Sequence, residues 1–318
     1  MQTISRSADL SHTAVFYRSD EDFLAAVLPF VLDGVSSGES VYAALPTGNL
    51  ALLRDALGDL SGEVGLADMA DAGRNPARAF AMFASMLNSA APEARIRVVG
   101  EPVWPGRRAD EYPACVENEA LVNLAWAGHQ VSTLCPYDAA NLSDEVLADA
   151  RRTHPQVQYN GSAVPSPDYA WQEALAECNA PLNTDPAAVT YCLTQLQDLR
   201  PARVFATEWS HGIGLCAERA ADLNLIITEL ATNSLKYTGG GCRLALWRRG
   251  EHIICEVRDR GRLADPLAGR RLPDPHSVGG RGLLLVNALA DLVRIHSGAT
   301  GTTIQAHVAL TLPREEEP

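Results

Sequence analysis

The stretch AERAADLNLIITELATNSLKYT, residues 217–238, decides how the second half of the chain folds. Read at about 3.6 residues per turn, it predicts a helix from Arg219 to Tyr237. Leu223, Ile226, Ile227 and Leu230 fall on one stripe that can pack on a sheet. Glu229, Asn233 and Lys236 recur at steps of four and three, so they share a second, adjacent stripe. A carboxylate, a carboxamide and an ammonium on one edge are also what a solvated helix face looks like. The segments that follow turn the stripe toward a site.

Ile253–Arg258 reads as a strand, with Asp259 and Gly261 where it ends. A carboxylate at a strand end can accept a hydrogen bond from an amino group, and glycine lets the backbone pass close to a ligand. A long loop runs from Arg262 to Val278 and leads into Gly279-Gly280-Arg281-Gly282, directly before an apolar helix expected at Leu283–Leu292. Glycines ahead of a helix leave unpaired N–H groups facing an anion. Gly301-Thr302-Thr303 opens the last strand and brings hydroxyls beside that position. Each element is weak alone. Their order is specific.

ELATNSLKYT, DRG, GGRGL and GTT, in that order, resemble the N, G1, G2 and threonine boxes of the GHKL ATPase/kinase superfamily. The likeness spans roughly Tyr191 to Pro313. LTQLQDLRPARVFATEW and DPLAGRRLP resemble the anti-sigma-factor serine/threonine kinases of actinobacterial type. The resemblance implies an α+β GHKL (Bergerat) sandwich over 187–313 that binds ATP with Mg2+. It implies that Asn233 holds the magnesium ion and Glu229 orients or deprotonates the attacking hydroxyl. Asp259 would read the adenine amino group, with Gly261 and Thr302 or Thr303 beside the base. Gly280, Arg281 and Gly282 would cover the phosphates, and Lys236 is either a phosphate neighbour or a rim salt bridge. The implied partners are a STAS-type anti-sigma-factor antagonist, a sigma factor, or both, and a homodimer is compatible with the kinase family. One position departs from the pattern: Leu263 stands where the G1 box usually has a second glycine. A non-catalytic ATP-binding adaptor is therefore the alternative reading. Histidine autophosphorylation is disfavoured, because His154 precedes a proline and His211 lies beside helix-breaking glycines.

The first half alternates short apolar runs with helical segments, which predicts an α/β domain with a parallel sheet covered on both faces. HTAVFY, VVGEPVW, ENEALVN and LCPYD resemble the MEDS sensory domain, over Ser11 to about residue 155. That family implies a RecA-like sheet and a small-molecule effector. The turn after the first strand, Arg18-Ser19-Asp20-Glu21-Asp22, has neither glycine nor lysine, so no P-loop is present and no ATP hydrolysis is expected there. His12 and Cys135 lie near strand ends and can face one pocket, with Glu119 and Tyr137 nearby. Two ligands fall short of a metal site, so core residues are the favoured expectation. Residues 156–186, interrupted by prolines, are read as a linker.

The bulk numbers fit a regulator of this kind. A net charge of -13 argues against a broad phosphate-tracking surface for nucleic acid. Seven cysteines without a CxxC pair suit a reducing compartment, and no apolar run is long enough for a membrane span. A cytoplasmic location follows as an expectation.

Overall fold

The computed structural model describes residues 10–89, 94–159, 161–272 and 280–311. It divides into two compact units between Cys178 and Asn179.

The first unit is built on five parallel strands, β1 (Ser11–Tyr17), β2 (Ser40–Leu45), β3 (Val64–Asp68), β4 (Ile96–Gly100) and β5 (Val131–Asp138). They lie in the order β3-β2-β4-β5-β1. The connections carry α1 (Asp20–Ser36), α2 (Thr47–Leu57), α3 (Met69–Ala72), α4 (Pro76–Ser89) and α5 (Tyr112–Ala125), and α6 (Asp144–Thr153) follows β5. Alternation along β1 explains why both faces are covered. Val15 and Tyr17 join the core with Phe23, Val27 and Val31 of α1, whereas Ala14 joins Cys135 and Tyr137 in a separate core. The Ser19 hydroxyl caps α1 by accepting from the Asp22 N–H at 3.1 Å, and Asp20, Glu21 and Asp22 fill its first turn. Three carboxylates at that helix start complement its dipole and repel phosphate.

The expected linker at 156–186 is corrected by the structure. β6 (Gln156–Tyr159) adds to β1 in parallel, β7 (Ser162–Pro165) pairs back on β6, and α7 (Trp171–Cys178) packs on α5. Only Thr13 and Ala14 pair with β6, and Pro165 sits on an outer strand whose residues are all exposed. Such a short edge hairpin tolerates proline, so proline there punctuates the sheet without ending the domain. Part of the remainder is also held: within the second unit, the Leu182 carbonyl accepts from Arg258 at 3.0 Å, and Thr184 donates to the fully buried Glu256 at 2.6 Å.

The second unit is an antiparallel sheet of β8 (Val189–Leu193), β9 (Cys242–Arg249), β10 (His252–Asp259), β11 (Leu292–Gly298) and β12 (Gly301–Ala309), in the order β11-β12-β10-β9-β8. α8 (Leu199–Gly212), α9 (Ala217–Thr238) and α10 (Gly282–Leu289) share a core with it. Leu223, Ile226, Ile227 and Leu230 of α9 are buried there, as the stripe predicts. β8 and β11 are additions to the strands read from the sequence, and α10 stops at Leu289 instead of Leu292. The cause of that stop is Asp291, whose carboxylate pairs with Arg219 and accepts from the Ala309 N–H at 2.7 Å. Those bonds draw the chain into β11, where Leu292 faces His307 across the ladder.

One buried carboxyl should make the stability of the first unit depend on pH. Glu101, just beyond β4, is fully buried and accepts from Tyr17 Oη at 2.8 Å and Asn49 Nδ2 at 2.7 Å. Burial lifts its pKa to about 7, although both hydrogen bonds oppose the rise. A folded-state value above the unfolded 4.5 means the native state binds the extra proton. Stability should therefore fall as pH rises from about 5 to about 7, by on the order of 3 kcal/mol. Urea midpoints of wild type and Glu101→Gln across that range check this. Parallel pH profiles in the two proteins would refute it.

Candidate functional site

The principal cleft of the second unit opens between the C-terminal half of α9, the end of β10, the loop that follows it, and the start of α10. Asn233, Asp259, Gly261, Gly280, Gly282 and Thr302 all line it. Residues 217–238 deliver Asn233 because the apolar stripe fixes the rotation of α9 on the sheet, turning the neighbouring stripe toward the cleft rim. Asp259 arrives as the last residue of β10, in register with Thr302 of β12.

Asp259 is held from two sides. Ser234 Oγ donates to its Oδ2 at 2.5 Å, and the Gly261 N–H donates to its Oδ1 at 2.7 Å. Each oxygen keeps acceptor capacity for a donor in the cleft. Ser234 carries its own signal in the sequence: it falls four residues after Leu230, on the buried stripe, where a hydroxyl needs a partner. Thr302 Oγ1 donates to the Gly261 carbonyl at 2.9 Å, so β12 braces the turn that carries Asp259. Thr303 is buried and points to the other face of the sheet, since successive residues of a strand alternate. Of the two threonines, the fold brings Thr302 to the cleft.

Three glycines bring the backbone close to its neighbours, against side chains at Gly261 and Gly282 and against backbone at Gly301. A Cβ on Gly261 would lie 2.5 Å from Thr238 Cγ2. A Cβ on Gly282 would lie 2.7 Å from Glu229 Oε2 and 3.0 Å from Asn233 Nδ2, so the first residue of α10 passes directly over the acid and the amide of α9. Gly301, at φ +138°, brings β12 against the Asp259 carbonyl, only 2.0 Å from where a Cβ would stand. Lys236 is exposed, with its ammonium 5.0 Å from the centre of the Tyr237 ring, and Arg281 is the residue preceding α10. Neither side chain lines the cleft. Gly279 and most of the residues just before it lie outside the described residues.

Leu263, the departure from the glycine pattern, lines the cleft, and its N–H donates to Ser297 Oγ at 2.8 Å and Thr302 Oγ1 at 3.2 Å. The loop beyond it is folded: Asp265 receives the Leu267 N–H at 3.0 Å and pairs with Arg271 at 2.8 Å, while Asn287 of α10 donates to the Gly269 carbonyl at 2.9 Å. The residues present suit a purine nucleotide with its metal. A carboxylate with open acceptor sites stands at one end, and at the other a carboxamide and a carboxylate lie under a glycine-led helix start, where an added Cβ would occupy the space.

In the first unit, His12 of β1 and Cys135 of β5 do meet, with their Nε2 and Sγ 3.7 Å apart, and Glu119 of α5 is 3.3 Å from His12 Nε2. The fold adds His154, which follows α6 and places Nε2 3.0 Å from the same Glu119 oxygen. Its pairing could not be read from the sequence, because it depends on where α6 returns the chain to the sheet. Tyr137 stands edge-on to His154, ring centres 5.7 Å apart. Trp126 lines an apolar cavity next to this cluster with Phe80 and Phe83, whereas Trp104 stacks on the Arg107 guanidinium at 4.2 Å.

Fold and cleft together define a protein of two parts: a double-covered parallel-sheet domain and a sandwich domain whose helix and strand end enclose a cleft. Comparison with known families makes both parts specific. Residues 11–155 match the MEDS family, the MEthanogen/methylotroph, DcmR Sensory domain, and residues 193–308 match the histidine kinase-like ATPase domain. The chain is a MEDS domain followed by a histidine kinase-like ATPase domain. No curated protein matches it. Among solved structures, the RsbU and RsbW domains of Rv1364c from Mycobacterium tuberculosis are 24% identical over 39% of this chain, with a TM-score of 0.31. The chain spans 33% of that protein's length. The histidine kinase AdeS from Acinetobacter baumannii is 9% identical over 63% of this chain and 96% of its own, with a TM-score of 0.25. No helix among the described residues is long and apolar enough to cross a membrane.

Proposed function

We propose that this protein is a cytoplasmic signalling regulator whose second domain binds ATP with magnesium and phosphorylates a serine or threonine on a partner protein. The observation that carries the reading is the clamped Asp259 facing the same cleft as Asn233, with Glu229 packed beside it under Gly282. Asp259 accepts the adenine amino group, with Gly261 and Thr302 beside the base. Asn233 supplies the amide oxygen for magnesium, and the glycines Gly280 and Gly282 let the start of α10 approach the phosphates. Magnesium, when bound, neutralises phosphate charge during transfer. Glu229 is the base or orienting group for the partner's hydroxyl. A STAS-type anti-sigma-factor antagonist or a sigma factor is the partner class this reading names. The strand order β3-β2-β4-β5-β1 supports a RecA-like first domain, and the acidic, glycine-free start of α1 supports a sensory role for it over ATP hydrolysis.

Leu263 favours a second reading, in which the domain binds ATP and holds a partner without chemistry. Transfer of label from γ-labelled ATP to STAS-type proteins, with wild type and Glu229→Gln, separates the two. The kinase reading expects Glu229→Gln to retain ATP affinity within about threefold while transfer drops by about 100-fold or more. ATP binding with no transfer by wild type leaves the adaptor reading. If the full chain fails to bind ATP in magnesium, both readings are lost.

A further inference from the structure

The four side chains His12, Glu119, Cys135 and His154 are all buried, and their donor atoms lie within 4.8 Å of one another. We propose that they form a tetrahedral transition-metal site in the MEDS domain, of the kind that binds zinc. The proposal does not depend on the nucleotide cleft.

Hydrogen accounting is the first argument. Asn123 Nδ2 donates to the Thr153 carbonyl at 2.8 Å and the Ala120 carbonyl at 3.2 Å, which fixes its Oδ1 as the acceptor facing His12. His12 Nδ1, 3.1 Å away, must therefore carry the hydrogen. His154 Nδ1 lies 2.8 Å from the Ala150 carbonyl and must donate as well. In both neutral rings the remaining Nε2 is then a bare lone pair, and both are aimed at one oxygen of Glu119. His154 Nε2 is buried, 3.0 Å from that oxygen, without the geometry of a hydrogen bond. Lone pairs facing a carboxylate repel. A cation among them converts that repulsion into coordination, and an outer hydrogen bond from each imidazole is how metal-binding histidines are oriented.

Distances supply the second argument. Bonds of about 2.0 Å to nitrogen or oxygen and about 2.3 Å to sulfur give tetrahedral edges of roughly 3.3 and 3.5 Å. Three of the six edges are 3.3 Å from His12 to Glu119, 3.0 Å from His154 to Glu119, and 3.7 Å from His12 to Cys135, and the other three lie within 4.8 Å, so the ligands would close slightly on an ion. A mixed set of two imidazoles, a thiolate and a carboxylate suits zinc better than magnesium or calcium. The competing account is a cluster held by protons alone, in which the Cys135 thiol, a protonated Glu119 or a charged ring supplies the hydrogens between these buried atoms, with the two rings' centres 3.9 Å apart. His12, Glu119 and Cys135 also line the apolar cavity beside Phe80 and Trp126, which gives the ion an apolar approach on one side.

The test titrates the full chain, stripped with a chelator and free of ATP and magnesium, with Co2+ and then with Zn2+ in competition. Wild type should take up a single Co2+ per chain with thiolate-to-cobalt charge-transfer absorption, and Zn2+ should abolish that absorption. Cys135→Ser should lose the band. Asn123→Ala, which leaves all four ligands in place, should weaken zinc affinity by about 10–100-fold. Failure of wild type to bind either ion at micromolar concentration would overturn the proposal in favour of the proton-held cluster. So would a charge-transfer band unchanged in Cys135→Ser, or an Asn123→Ala variant with wild-type affinity.

Discussion

Asp259→Ala should lower ATP affinity by about 10- to 100-fold while the second domain stays folded. The carboxylate sits at the end of β10 with each oxygen already engaged, one by the Ser234 hydroxyl and one by the Gly261 N–H. Pre-orientation of this kind leaves a charged acceptor pointing into the cleft without an ordering cost when a donor arrives. A hydrogen bond to a charged group contributes about 1.5–3 kcal/mol, which is the origin of the expected factor. Asn233→Ala acts at the opposite end of the cleft, so combining the two substitutions should make calorimetric binding undetectable. Because Ser234 loses its partner in Asp259→Ala, Ser234→Ala serves as the companion: it should weaken binding less than Asp259→Ala. Near-normal ATP affinity in Asp259→Ala would remove the adenine-reading role from this residue.

Gly301→Ala should produce the largest loss of stability, about 3 kcal/mol or more, seen as a lower denaturation midpoint of the second domain. Two independent penalties coincide at this position. The residue sits at φ +138°, a conformation that side chains rarely adopt, and its added Cβ would stand 2.0 Å from the Asp259 carbonyl oxygen. That neighbour is backbone in a paired strand, so it cannot swing aside. Relief requires β12 to move away from β10, which also shifts Thr302, the residue bracing the Gly261 carbonyl. ATP affinity should accordingly fall along with stability. By contrast, Gly250→Ala, at φ +58° with open space around it, should suffer only the backbone penalty of roughly 1 kcal/mol. Equal losses at the two glycines would show that close strand approach contributes nothing.

Leu263 stands where the glycine pattern has a second glycine. In the fold the same residue uses its N–H to join Ser297 and Thr302, so the loop leaves β10 through an anchored position. The apolar side chain then lines the cleft. What this does to turnover is the question the phosphotransfer comparison answers.

Periodicity and turn chemistry were enough to determine the alternating first half, the buried stripe of α9, and the glycine-marked start of α10, because each depends on neighbours close in the chain. The pairing of Asn233 with Gly282, of Asp259 with Ser234, and of Thr302 rather than Thr303 with Gly261 came only from tertiary structure. Each of those contacts depends on how one element is rotated or registered against another far along the chain. The same reason hid His154: the sequence shows a histidine before a proline, and only the return of α6 to β1 places it against His12 and Glu119. β6 and β7 are not legible in the sequence because two residues paired with β1 and an edge proline leave almost no local pattern, while the sheet they extend supplies the missing partners.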